Sequence, residues 1–189
     1  MTPRARAINA TARYLKSTAR PELTKAALAQ AARLDETELG ALFPSLDVLL
    51  AAAMARLFKE TDATFFSDDA ARGWSGLANY VELLRGLESK GAMVALFVRL
   101  RVEAADPEHP SHEVNVELRE RNLVVLEHLL NTGIEDGEIS PELDVQFTAK
   151  TVLSLVEGSQ AVDLALEEGF VSADAVANYF ELLRFKYGR

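Results

Sequence analysis

Residues 28–45 read LAQAARLDETELGALFPS and carry two short helical patterns on either side of a tight break. Thr24 stands just upstream, where a hydroxyl can cap a helix bearing Ala27, Leu28, Ala31 and Ala32. The break falls at Arg33–Leu34. Asp35 then opens the second helix, with Glu38 three residues on, the spacing of a capping box. That helix ends by Phe43, because the residue before Pro44 disfavours helical backbone. Ala29 is small enough for close helix approach, Leu34 plugs the turn, Leu39 anchors the second helix and Phe43 closes a little core. Two short helices joined by a tight turn and braced by a preceding helix form the helix-turn-helix layout.

The bracing helix is predicted from about Arg4 to Ser17, with Ala7, Ile8, Thr11, Ala12 and Leu15 on one side. It stops near residues 18–21, ahead of Pro21. Downstream, Ser45 caps a fourth helix whose first turn holds Asp47, a charge the helix dipole favours. Its apolar face is Leu46, Leu49, Leu50, Ala53, Met54, Leu57 and Phe58, and the pattern runs on into residues 61–66. Residues 67–73 read as loop. Helical patterns follow at 75–88, 92–105, 112–132, 144–168 and 173–186. Gly91, Pro107 and Pro110, the 133–141 stretch and Gly169 mark the breaks, with Ser172 capping the last helix. No β-alternation of useful length interrupts them. The expectation is an all-α chain of about nine helices, a three-helix lobe over 1–46 and a helical bundle over 47–189.

The 189 residues are 49% hydrophobic and 26% charged, a globular balance, and a chain of this length buries about 70% of its unfolded surface. There is no cysteine, which excludes disulfides, thiolate catalysis and thiolate-bound metal. The longest apolar run, Val48 to Ala55, is far short of the roughly 20 residues of a membrane span. The basic start has no apolar segment of a secretory signal, so the expected location is the cytoplasm and no membrane partner is expected. Charge is unevenly placed. Residues 1–60 hold nine Lys/Arg against six Asp/Glu, a net of +3, which leaves −12 of the total −9 to residues 61–189. Residues 1–33 set seven basic groups against the single Glu22. A basic lobe on an acidic body fits a polyanion contact at one end; a solvated Arg-rich helix accounts for the same charge.

The 28–50 stretch resembles the tetracycline-repressor (TetR) type of bacterial regulator. The family's pattern is Ile-Ala-x-x-Ala-Gly-Val-Ser, then a short recognition helix ending in Phe-Pro-Ser, then a long apolar helix. Leu28 and Ala29 stand for its Ile-Ala pair, Ala32 for the second Ala, Leu34 for the Val and Asp35 for the capping Ser. Leu39, Phe43-Pro44-Ser45 and Leu49-Leu50 also match, without gaps. GEISPELDVQFTAKTVLSLVEG, Gly137 to Gly158, is similar to the family's loop into its penultimate helix. The resemblance implies a ligand-responsive, DNA-binding homodimer. Arg4, Arg6, Thr24, Lys25, Arg33, Asp35, Glu36, Thr37, Glu38 and Gly40 would then stand at the DNA-facing positions.

The departures are specific. Arg33 replaces the family's turn glycine. Asp35, Glu36, Thr37, Glu38 and Gly40 occupy places where the family uses basic, hydroxyl and aromatic groups, and Ala41 and Leu42 follow. Carboxylates facing a phosphate-lined groove repel it. Two readings therefore stand: the lobe still binds duplex DNA, or the fold persists as a ligand-binding or interaction module that has lost it.

In the body, Phe65, Phe66, Trp74, Tyr80, Met93 and Phe97, with Arg101 as a polar handle, are the candidate pocket for a small apolar ligand. Plain core packing explains aromatics and Met equally. Arg99 and His128 are further handles. The last two helices carry a candidate dimer face of Val152, Val156, Gly158, Ser159, Val176, Tyr179, Phe180 and Leu183. So apolar a hairpin is either buried or paired with a second copy, and the resemblance implies the dimer. No catalytic site is expected. His109 and His112, in H-P-S-H-E, lie three apart across Pro110 rather than at helical zinc spacing, and read as a solvated loop. No phosphate loop or nucleophile elbow is present, and no metal or cofactor is expected.

Overall fold

The structure is a computed structural model that describes residues 1–18, 22–60, 62–166 and 169–189. Among the described residues ten helical segments follow one another: α1 Pro3–Ser17, α2 Lys25–Ala32, α3 Glu36–Leu42, α4 Leu46–Glu60, α5 Asp62–Phe66, α6 Gly73–Glu88, α7 Gly91–Glu103, α8 His112–Glu135, α9 Val145–Ala165 and α10 Ser172–Tyr187. Among the described residues there is no strand, only an isolated bridge between Ile139 and Gly188. No single helix is long and apolar enough to cross a membrane.

The expected run of the fourth helix into 61–66 is helical on both sides of residue 61, as α4 to Glu60 and α5 from Asp62 to Phe66. Residues 19–21, 61 and 167–168 lie outside the described residues; α1 stops at Ser17 with Thr18 extended, as expected near 18–21, and α9 is helical to Ala165. α8 passes through Gly133, which the sequence reading treats as a break. A Cβ at Gly133 would stand 2.6 Å from the Ile139 side chain and 3.0 Å from the Gly73 Cα, so the missing side chain serves close packing. Ser172 does not cap α10. Its hydroxyl donates to Glu88 Oε1 at 2.6 Å, and the Ala173 N–H donates to the same oxygen at 2.8 Å. A carboxylate 84 residues upstream thus takes the capping role, which no local spacing reveals.

The chain falls into two compact units: Met1–Thr61 with Arg99–Leu118, and Asp62–Val98 with Arg119–Arg189. In the first, α1 packs against α2, α3 and α4, so α4 groups with the lobe that the sequence reading closes at residue 46. Leu15, Leu28, Leu39, Leu49, Leu50 and Met54 are fully buried there. In the second, Leu126, Leu129, Leu130, Val152, Val176 and Phe180 lie in one core, with α10 against α6 and α9.

Candidate nucleic-acid interface

The lobe is built from local capping. Thr24 Oγ1 accepts the Ala27 N–H at 3.2 Å and starts α2. Arg33 ends it in the left-handed region, at φ 57°, ψ 45°, with its N–H turned to the Ala29 and Gln30 carbonyls. A side chain held there costs on the order of 1 kcal/mol relative to glycine. The turn therefore takes a conformation that glycine favours while presenting an exposed guanidinium.

α3 starts with the expected capping box. Asp35 Oδ1 accepts the Glu38 N–H at 2.8 Å, and Glu38 Oε2 accepts the Asp35 N–H at 2.9 Å. This alters the electrostatic reading of the acidic helix. Two of its three carboxylates are folded back onto the helix's own amino end, where orphan N–H groups and the dipole offset their charge. Glu36 alone is exposed with no partner among the described residues. Thr37 is exposed beside it, and Leu39 faces inward, 1% exposed.

Basic groups gather around α3. A Cβ at Gly40 would stand 2.8 Å from Lys25 Nζ, so the absent side chain leaves room for the ammonium to lie across α3. The Arg4 guanidinium lies 5.0 Å above the Phe43 ring. Arg6 is exposed on α1. By contrast, Lys16 and Arg56 are paired with Glu60, and the Lys16 hydrogen bond holds the Glu60 carboxyl below the usual carboxylate range. Among the described residues, Arg4, Arg6, Lys25 and Arg33 are exposed and stand outside these ion pairs.

The expected pocket residues do not form one site. Phe65 and Tyr80 are core, 1% and 2% exposed, with ring centroids 6.2 Å apart. Met93 is buried, Phe97 is half-buried, and Phe66 is largely exposed with its ring 4.9 Å from that of His128. Trp74 instead lines an open groove of about 640 Å³ with Ser75, Ala78, Glu138 and Arg184. Arg101 belongs to the other compact unit.

The expected dimer face needs a sharper correction. Val152, Val156, Val176, Phe180 and Leu183 are buried in this chain's own core rather than presented on its surface. Tyr179 packs against that core, Ser159 is half-buried and Gly158 is exposed. The opposite sides of the same helices expose Phe147 and Val162 on α9, and Leu182 and Phe185 on α10, the last at 93%. The apolar count per helix flagged the hairpin; choosing between two apolar faces needs to know which one packs on α6.

The chain matches no protein-family model and no curated protein sequence. Among solved structures, a TetR transcription regulator from Haloarcula marismortui ATCC 43049 aligns with a TM-score of 0.73 at 15% identity, over 99% of this chain and 98% of its own. At that identity the likeness is one of architecture, and this chain has the all-α fold of the TetR regulators.

Proposed function

We propose that the chain is a cytoplasmic, homodimeric, ligand-responsive regulator whose lobe binds duplex DNA through phosphate contacts. The arrangement at α3 carries this reading. Two carboxylates are held by the capping box, while Lys25, Arg4 and Arg33 lie beside α3 or its ends and Arg6 is exposed on α1. Phosphate neutralisation dominates affinity, so such a lobe binds with a weak sequence preference and a strong salt dependence.

Dimerisation is supported by the outer faces of α9 and α10. Phe147, Val162, Leu182 and Phe185 are exposed there. A Cβ at Gly158 would meet no atom of this chain within 4 Å, which leaves room for close approach of a second helix. Paired hairpins of this kind make a four-helix bundle and set two lobes on one duplex. A small apolar ligand bound in the body would act by favouring one spacing of the lobes over another.

A second reading, a dimeric ligand-binding or interaction module without DNA binding, is favoured by one observation. The exposed face of α3 carries Glu36, Thr37, Gly40 and Ala41, with no basic group of its own. Titrating the full chain with labelled random and genomic duplex at rising salt separates the two. Affinity that falls steeply with salt supports DNA binding; no binding at the lowest salt overturns it in favour of the module.

A further inference from the structure

Within the first unit, three ligating side chains from separate segments converge. Asp47 lies in the first turn of α4, Glu103 ends α7, and His109 lies in the connection to α8. One ligand atom from each falls within 4.8 Å of the other two, and among the described residues no other group of three does so. His109 is held from behind. Its Nδ1 lies 2.9 Å from Ser111 Oγ, Ser111 is fully buried, and Asn115 Nδ2 donates to the Ser111 carbonyl at 2.9 Å. The Ser111 N–H also donates to that Nδ1 at 3.3 Å. Binding an ion at the other ring nitrogen therefore moves the ring proton to Nδ1, where the Ser111 hydroxyl takes it as acceptor in place of the Ser111 N–H contact. His112 takes no part, because its Nδ1 lies 2.9 Å from the Ala104 carbonyl. The connection is therefore a hydrogen-bonded turn rather than the solvated loop expected from H-P-S-H-E.

Arg99 is the cation that now serves the two carboxylates. It stands 3.4 Å from Asp47 Oδ1 and 3.8 Å from Glu103 Oε1. Both separations exceed the roughly 2.7–2.9 Å of a strong charge-assisted hydrogen bond. A doubly charged ion coordinates such oxygens and an imidazole at about 2.0–2.2 Å. Drawing three ligands around one ion brings their atoms to about 3–4 Å from each other, a closure of roughly 1 Å. Glu103, exposed at the end of its helix, is free to supply it.

We propose that Asp47, Glu103 and His109 form a binding site for a divalent transition-metal ion of the zinc type, closed by water and in competition with Arg99. Two carboxylates and one imidazole suit zinc or manganese, and the chain has no thiolate to draw softer ions. Because Asp47 opens the helix that follows Phe43-Pro44-Ser45, the bound ion clamps the start of α4 to the α7–α8 connection. The site does not depend on DNA binding.

The test is a calorimetric Zn²⁺ titration of the full chain freed of metal, repeated with Co²⁺ for its visible absorption. One equivalent per chain is expected, with a Kd on the order of micromolar for three protein ligands. His109→Gln and Asp47→Asn each weaken it by at least about tenfold with unchanged helical circular dichroism. His128→Gln, in the other unit, leaves it unchanged. Arg99→Gln strengthens it several-fold, whereas an ion-pair cluster alone gives an Arg99→Gln variant with no gain in metal affinity. Absence of saturable binding, or equal binding by the His109→Gln and Asp47→Asn proteins, overturns the site. Neither result bears on binding of duplex DNA.

Discussion

The two units are held by different kinds of bond. In the first, helix starts are made by neighbours in sequence: Thr2 with Ala5, Thr24 with Ala27, Asp35 with Glu38 and Ser45 with Val48, each pair three residues apart. In the second, Asp144 caps α9 locally through the Phe147 N–H, but the groups that start α6 and α10 come from far along the chain. Glu88 accepts the Ser172 hydroxyl and the Ala173 N–H at the start of α10, Thr132 Oγ1 accepts the Gly73 N–H, and Glu138 Oε2 accepts the Trp74 N–H. Local caps let a small lobe form with little core. Distant caps make the larger unit one cooperative body, in which a helix end fails when a remote helix is disturbed.

The largest expected effect contrasts the two sides of α10. Val176→Asp places an unpaired charge in a fully buried site and costs about 4 kcal/mol or more, enough to unfold a marginal domain. Phe185→Asp, at a residue 93% exposed, leaves the stability of the isolated chain within about 0.5 kcal/mol and instead weakens the proposed dimer. Denaturant unfolding and sedimentation measure the pair. A Phe185→Asp protein that stays dimeric breaks the assignment of the outer face to a second copy.

The next pair tests the capping contrast directly. Glu88→Ala leaves the fully buried Ser172 hydroxyl and the Ala173 N–H without their acceptor, at a cost of about 2 kcal/mol. Thr24→Ala removes one local cap and costs about 1 kcal/mol. Hydrogen exchange sharpens the comparison: Glu88→Ala loosens α6 and α10 together, while Thr24→Ala loosens α2 alone.

These differences also set what the sequence discloses. The capping box at Asp35 and Glu38 is legible because its partners lie in one short window, and so is the stop before Pro44. The capping of α10 by Glu88 is not, nor is the meeting of Asp47 with His109, since both depend on chain reversals that no spacing encodes. The dimer face shows a third limit. α9 and α10 are apolar on both sides, so periodicity identifies the helices without ranking their faces. The acidic helix α3 shows the converse: composition counts three carboxylates, while the capping-box spacing already assigns two of them to their own helix end, and the coordinates bear that out.

That last point makes a prediction about DNA. Glu36→Lys exchanges the one unpartnered carboxylate on α3 for a phosphate ligand. It raises duplex affinity by about tenfold at low salt and steepens the salt slope by about one. Glu38→Thr removes a carboxylate too, yet chiefly breaks the capping box, lowering lobe stability by about 1 kcal/mol with little gain in affinity. Equal gains from the two would mean that the carboxylates of α3 act as a diffuse charge and the capping box does not mask them.

The smallest effect lies at the junction of α6 and α8. Arg72 donates from Nε to Asp136 Oδ2 at 2.8 Å and from Nη2 to Oδ1 at 2.9 Å, and also reaches Glu135 at 3.0 Å. This fork holds the Asp136 carboxyl below its ordinary value of 3.8. A carboxyl depressed in the folded state adds stability above its unfolded pKa, and that contribution disappears as pH falls through the folded value. The difference in Tm between the native chain and Asp136→Asn is therefore constant from neutral pH down to about 5 and closes below about 4. Both partners are solvent-exposed, so salt also shrinks it. A gap that widens on acidification would reverse the sign of the linkage and place the stabilising proton on Asp136 in the folded state. The Arg72 fork would then have to open before the unit unfolds, and the distant bonds of the second unit would be less cooperative than its caps imply.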